Sequence, residues 1–152
     1  MLSREQIQIK TPQQVRLMRR AGLVVADIHA ALREAVRAGA QLVIFPEGTR
    51  RAPGAPPDYK TGFAQIYSSC GVACLPIALN SGLFWPRRTF MRYPGTLVVE
   101  FLDPLPPGLP KDEFLARVQT SIEDATSRLV ESGRKQQEQL MGSSPSYAPS
   151  ES

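Results

Sequence analysis

The stretch Leu42-Val43-Ile44-Phe45-Pro46-Glu47-Gly48-Thr49-Arg50-Arg51 decides how the rest of the chain is read. Its apolar opening predicts a short buried strand over residues 41–45, ended by Pro46, which has no N–H to give a ladder. Gly48 lets a backbone come close to a ligand with no Cβ in the way. Arg50 offers the planar fork that grips a phosphate through two hydrogen bonds. Glu47 stands near enough to hold that arginine or to accept from a hydroxyl. Glu47, Gly48, Thr49 and Arg50 therefore read as a phosphate-binding corner, against the plainer reading of a structural salt bridge at a strand end.

Outward from this corner, helices and strands alternate. Upstream, Thr11, Pro12 and Gln14 form a helix start, with a capping hydroxyl, a proline at the first helical position and a box-forming amide. Met18, Val25, Ile28, Leu32 and Val36 recur at helical spacing up to a stop at Gly39. Downstream, residues 52–58 are too rich in proline for regular structure. Thr61 is placed to cap a second helix bearing Phe63, Ile66, Tyr67 and Cys70. Residues 72–79 and 96–102 read as strands, and residues 103–108 as a rigid loop. An amphipathic helix over 111–131 turns Phe114, Val118, Ile122, Ala125 and Leu129 inward. This order predicts an α/β fold: a partial, largely parallel sheet flanked by helices, with a long N-terminal helix. From Gly133 the composition becomes polar and then rich in Ser and Pro, which predicts a disordered tail over 133–152.

The corner resembles the phosphate-binding motif of the glycerolipid acyltransferases, the 1-acyl-sn-glycerol-3-phosphate acyltransferase family. Tyr59-Lys60-Thr61-Gly62 resembles the aromatic-Lys-x-Gly step that follows it there. Leu75-Pro76-Ile77-Ala78 resembles an apolar-Pro strand of that family. Asn80-Ser81-Gly82-Leu83-Phe84-Trp85-Pro86-Arg87-Arg88 and Tyr93-Pro94-Gly95-Thr96 are similar to the segments that come next in bacterial members. Four matches in order, over about residues 38–132, are more specific than any one of them. The resemblance implies the C-terminal half of such a domain, transferring an acyl group from acyl-CoA or acyl-carrier protein to a lysophosphatidate, with no cofactor and no metal.

That family's chemistry rests on a His-x-x-x-x-Asp dyad well before the phosphate motif, and this sequence contains no such pair. Its one histidine, His29, is followed five positions later by Glu34. In the middle of a helix that spacing sets the two side chains about 140° apart, so His29 is expected to be an ordinary helical histidine and no catalytic residue is assigned. Residues 1 to about 38 resemble something else. Ile7-Gln8-Ile9-Lys10-Thr11-Pro12-Gln13-Gln14-Val15-Arg16-Leu17-Met18-Arg19-Arg20-Ala21-Gly22 is similar to the opening segment of type I methionine aminopeptidases, whose two-metal ligand set does not follow here. The expected organisation is thus an aminopeptidase-like segment over 1–38, an acyltransferase-like domain over 39–132 and the tail.

Composition is globular, at 42% hydrophobic and 21% charged residues, and the net charge of +4 suits a partner carrying phosphates. It shows no nucleic-acid-binding motif. No run approaches the roughly 18 apolar residues of a membrane span, and the first ten residues lack a signal-peptide core. A cytoplasmic protein is expected, or one peripheral on the inner face of the membrane. Cys70 and Cys74 are expected to be free thiols, since a zinc site would need two further ligands. The cluster Phe84-Trp85-Pro86-Arg87-Arg88-Thr89-Phe90-Met91-Arg92 mixes rings and guanidinium groups as a headgroup boundary requires. Lys60, Trp85, Arg87, Arg88 and Arg92 are therefore candidate accessory contacts to phosphate or membrane. The plainer reading packs Trp85 on the core and leaves the arginines solvated.

Overall fold

The computed structural model describes residues 10–87 and 89–143. The chain divides into two units, Met1–Gln41 and Leu42–Ser152, each taken by itself below.

The first unit is built on one helix, α1 (Pro12–Arg37). Its start is the expected capping box. The Gln14 N–H donates to the Thr11 hydroxyl at 3.2 Å, and the Thr11 N–H donates to Gln14 Oε1 at 2.9 Å. Gly39, at φ +90°, ends it while the N–H groups of residues 38–40 bond back into the last turn. No residue of α1 is buried: Val15, Met18, Val25 and Ile28 are each at least half exposed.

The second unit contains α2 (Gly62–Cys70), β1 (Ile77–Leu79), α3 (Ser81–Phe84), β2 (Val99–Phe101) and α4 (Lys111–Met141). Among the described residues these two strands form the whole sheet, and they run antiparallel, with Ile77 opposite Phe101 and Leu79 opposite Val99. The expected largely parallel sheet is corrected on this point. A parallel return needs a crossover helix, whereas the link between β1 and β2 holds only the four-residue α3 and a loop. Asn80 closes the reversal: its Oδ1 accepts from the Val98 N–H at 2.8 Å and its Nδ2 donates to Thr96 O at 3.3 Å. Residues 41–45 form no strand either. Among the described residues no strand pairs with them, and they are exposed, Val43 and Phe45 by about three quarters. Thr61 stands before α2 as expected but makes no side-chain capping bond.

The core lies where α2 meets the first half of α4. Ala64, Tyr67, Phe114 and Val118 are buried, with Tyr59, Phe63, Leu105 and Ile122 against them. The Tyr67 and Phe114 rings stack at 3.7 Å, and the Tyr67 hydroxyl donates to Pro106 O and accepts from the Leu109 N–H.

The second half of α4 overturns the expectation of a tail beginning at Gly133. The helix runs on to Met141 and stops at Gly142, at φ +75°. Gly133 is a packing residue rather than a stop: a Cβ there would lie 2.6 Å from Leu83 Cδ1. One turn further, buried Gln137 donates to Leu83 O at 3.3 Å, and Gln136 exchanges two bonds with Thr96. Polar residues that look like a tail are thus satisfied partners of the β1–β2 link. The expected disorder over 144–152 lies outside the described residues.

Candidate functional site: an arginine corner

Pro46 to Thr49 form a tight turn in which the Gly48 N–H donates to Phe45 O at 3.0 Å. Gly48 sits at φ +66°, a conformation that L side chains rarely adopt, with open space around its α-carbon. The Lys60 N–H donates to Pro46 O at 2.8 Å, so the proline-rich segment after the turn folds back onto it.

Four charged side chains lock that fold-back. Glu47 Oε1 accepts from the Asp58 N–H at 3.1 Å and lies 3.5 Å from Arg51 Nε. Asp58 Oδ2 in turn lies 3.4 Å from Arg51 Nη1 and 2.5 Å from Lys60 Nζ. The hydrogen bond and then the charge of Lys60 hold the Asp58 carboxyl below its usual range, against an opposing effect of burial that outweighs the help from the charge of Arg51. Beside this cluster, the Tyr59 hydroxyl donates to Glu123 Oε1 at 3.0 Å. Burial first, then the bond to Glu123 and its charge, then the charge of Glu47, raise that phenol well above the tyrosine range.

The candidate residues therefore divide. Glu47 and Lys60 belong to the network that closes the loop, and the arginine that Glu47 holds is Arg51, not Arg50. Gly48, Thr49 and Arg50 are exposed. Arg50 points elsewhere: its guanidinium carbon lies 5.6 Å from the centre of the Trp85 ring, and that of Arg92 lies 4.0 Å from the same ring. Arg87 is exposed, and Arg88 falls outside the described residues. The corner and the aromatic-basic cluster, read as two features of the sequence, meet at Trp85. Arg51 and Asp58 were missed as partners. The i, i+4 spacing of Glu47 and Arg51 and the single carboxylate of the 52–58 loop were the available signals.

His29 lies in the middle of α1, half-buried, on a helix continuous through Glu34. Cys70 closes α2, while Cys74 pairs its backbone with Leu105, and burial raises the Cys74 thiol. Among the described residues no three His, Cys, Asp or Glu side chains converge as metal ligands. An open groove of about 680 Å³ runs between β2 and α4 and is lined by none of the corner's residues. Its Arg117 and Arg128 are already paired with Glu113 and Glu100.

The turn at Gly48 thus leaves the Arg50 guanidinium outside the Glu47–Arg51–Asp58–Lys60 network. A family profile described as Acyltransferase matches residues 4–80, just over half of the chain, and the chain belongs to that family. The match takes in the turn and also most of the stretch that resembles the aminopeptidase opening. Among curated relatives, the 1-acyl-sn-glycerol-3-phosphate acyltransferase of Pseudomonas aeruginosa is 39% identical over 66 residues, covering 43% of this chain and 26% of the relative. The Limnanthes alba protein of the same name is 31% identical over 80 residues, covering 49% and 28%. That of Cocos nucifera is 28% identical over 82 residues, covering 53% and 27%. The chain thus spans about a quarter of the length of the curated relatives it matches. No solved structure matches it.

Proposed function

We propose that this chain carries the substrate-phosphate half of a lysophosphatidate acyltransferase site. Gly48, Thr49 and Arg50 hold the phosphate of a 1-acylglycerol-3-phosphate. In the complete reaction of phospholipid synthesis the substrate's free hydroxyl loses a proton to a base and attacks the thioester carbonyl of acyl-CoA or acyl-carrier protein. The new ester forms as the C–S bond breaks, and the thiol leaves with that proton. The residues of this chain supply positioning and charge for that step, and no His-x-x-x-x-Asp pair supplies the base, so alone it turns over little substrate. Glu47, Arg51, Asp58 and Lys60 hold the loop that frames the turn. The observation that carries this reading is the exposed guanidinium of Arg50, outside the Glu47 network and beside the positive-φ turn at Gly48.

A second reading, a binding module for lysophospholipid or anionic membrane that works at the inner face of the membrane, draws support from the two arginines on Trp85. It differs in showing affinity with no turnover in any context. The chimeric reading, an aminopeptidase-like segment over residues 1 to about 38 joined to a truncated acyltransferase, rests on the resemblance of residues 7–22 alone. As an accidental fusion the chain would show neither binding nor turnover.

The test is calorimetric titration of the chain with a soluble, short-chain lysophosphatidate and with its dephosphorylated monoacylglycerol. Saturable binding that requires the phosphate supports the site. Equal binding of both ligands, or of neither, removes it.

A further inference from the structure

The loop that follows α3 is built in a way that folding alone does not require. Its stem is fixed. The Tyr93 N–H donates to Phe84 O at 3.0 Å, and Gly95 packs so closely that a Cβ would fall 2.2 Å from the Phe84 ring. Beyond the stem, the Arg92 guanidinium donates to the carbonyls of Thr89 and Met91 at 3.2 and 3.0 Å, and the Met91 N–H donates to the Thr89 hydroxyl at 3.0 Å. These bonds cinch the two residues that flank Phe90. Phe90 itself is 99% exposed, Met91 60% and Trp85 52%. A ring held by an ordered turn and given no protein surface to cover is an apolar group presented outward.

The charge carried by this stretch of chain is of one sign. Residues 81–98 include three arginines and no carboxylate. A protein partner of ordinary composition gives no reason for that bias, whereas an anionic bilayer accounts for both halves. Rings settle at the level of the headgroups, and guanidinium groups meet lipid phosphates. We propose that this loop is a wedge that seats the chain on an anionic lipid surface, with Phe90 and Met91 entering the acyl boundary and Arg87 and Arg92 among the headgroups. Arg50, over the same Trp85 ring as Arg92, then stands at headgroup depth. On the phosphate-site reading above, a lysophosphatidate meets its arginine without leaving the bilayer.

Trp85 is the only tryptophan of the chain, so its fluorescence reports on the loop directly. The chain is mixed with vesicles of phosphatidylcholine, or of phosphatidylcholine with phosphatidylglycerol, at low and high salt, some with brominated acyl chains. The expected result is a blue shift of Trp85 and quenching by bromine near the headgroups, with anionic vesicles and weakened by salt. Phe90→Asp should lower the partition coefficient about tenfold or more, since it withdraws a ring from hydrocarbon. The same variant should keep the circular dichroism of the parent and its affinity for soluble short-chain lysophosphatidate.

Partitioning of Phe90→Asp equal to the parent's overturns the wedge, as does vesicle binding that leaves Trp85 emission unchanged. Sedimentation velocity without lipid covers the protein-partner alternative. A parent oligomer that Phe90→Asp dissolves, with no vesicle binding by the parent, overturns it too. Failure of the phosphate site is told apart by Arg50→Ala, whose unchanged affinity for the soluble ligand would remove that site while the Phe90 result still decides the wedge.

Discussion

Glu47 holds Arg51, at 3.5 Å, and leaves its other neighbour Arg50 to the Trp85 ring. Two adjacent arginines thus have separate work, one inside a loop-closing network and one outside it. Glu47→Gln should therefore loosen the loop and spare the phosphate affinity. With both side chains partly exposed, the pair contributes no more than about 1 kcal/mol. Urea unfolding should show a small fall in midpoint while titration with short-chain lysophosphatidate is unchanged. A large loss of affinity in this variant would mean that Glu47 orients Arg50 after all.

The Asp58 carboxyl titrates below its unfolded value of 3.8 because Lys60, and then Arg51, favour its charged form. What it contributes to loop order is present above that unfolded value and is lost as pH falls through the lower folded one. Protease cutting within residues 52–58 should rise with acidity in that window, and Asp58→Asn should be cut readily across the whole range. Equal resistance of variant and parent at neutral pH would show that Asp58 does not hold the loop.

Gly133→Val should destabilise the second unit by about 1–3 kcal/mol, the usual range for forcing atoms into a packed site. Leu83 is fully buried and Asn80 nearly so, so neither has room to give. Chemical denaturation reads the effect directly. A neutral result would mean that α4 does not pack on α3 beyond residue 132.

That helix marks where sequence pattern stops being informative. The start of α1 at Thr11, its end at Gly39 and the inward positions Phe114, Val118 and Ala125 were legible because caps and apolar periodicity are local. Gly133 and Gln137 were not. A glycine and a polar run are the usual signs of a helix end, and only the Leu83 side chain and carbonyl, some fifty residues away in sequence, give them another use. Strand direction failed for a similar reason: apolar runs at 72–79 and 96–102 locate strands without saying which way they pair. At the site, the turn residues were read from their types, while the choice of Glu47 between two arginines depends on where Asp58 returns.

The chain by itself should transfer no acyl group from acyl-CoA or acyl-carrier protein to lysophosphatidate above a heat-killed control. The motive is the absence of a His-x-x-x-x-Asp pair and the place of His29 on α1, with Glu34 about 140° around the helix. A radiolabelled transfer assay checks it. Robust turnover that disappears in His29→Ala would make His29 the base.

The phosphate contact proposed for Arg50 is checked by titrating Arg50→Ala with a soluble short-chain lysophosphatidate. Losing a charge-assisted contact worth about 1.5–3 kcal/mol weakens binding by roughly one to two decades. That loss is expected in a variant whose circular dichroism matches the parent. A folded Arg50→Ala that binds the ligand as tightly as the parent would contradict it.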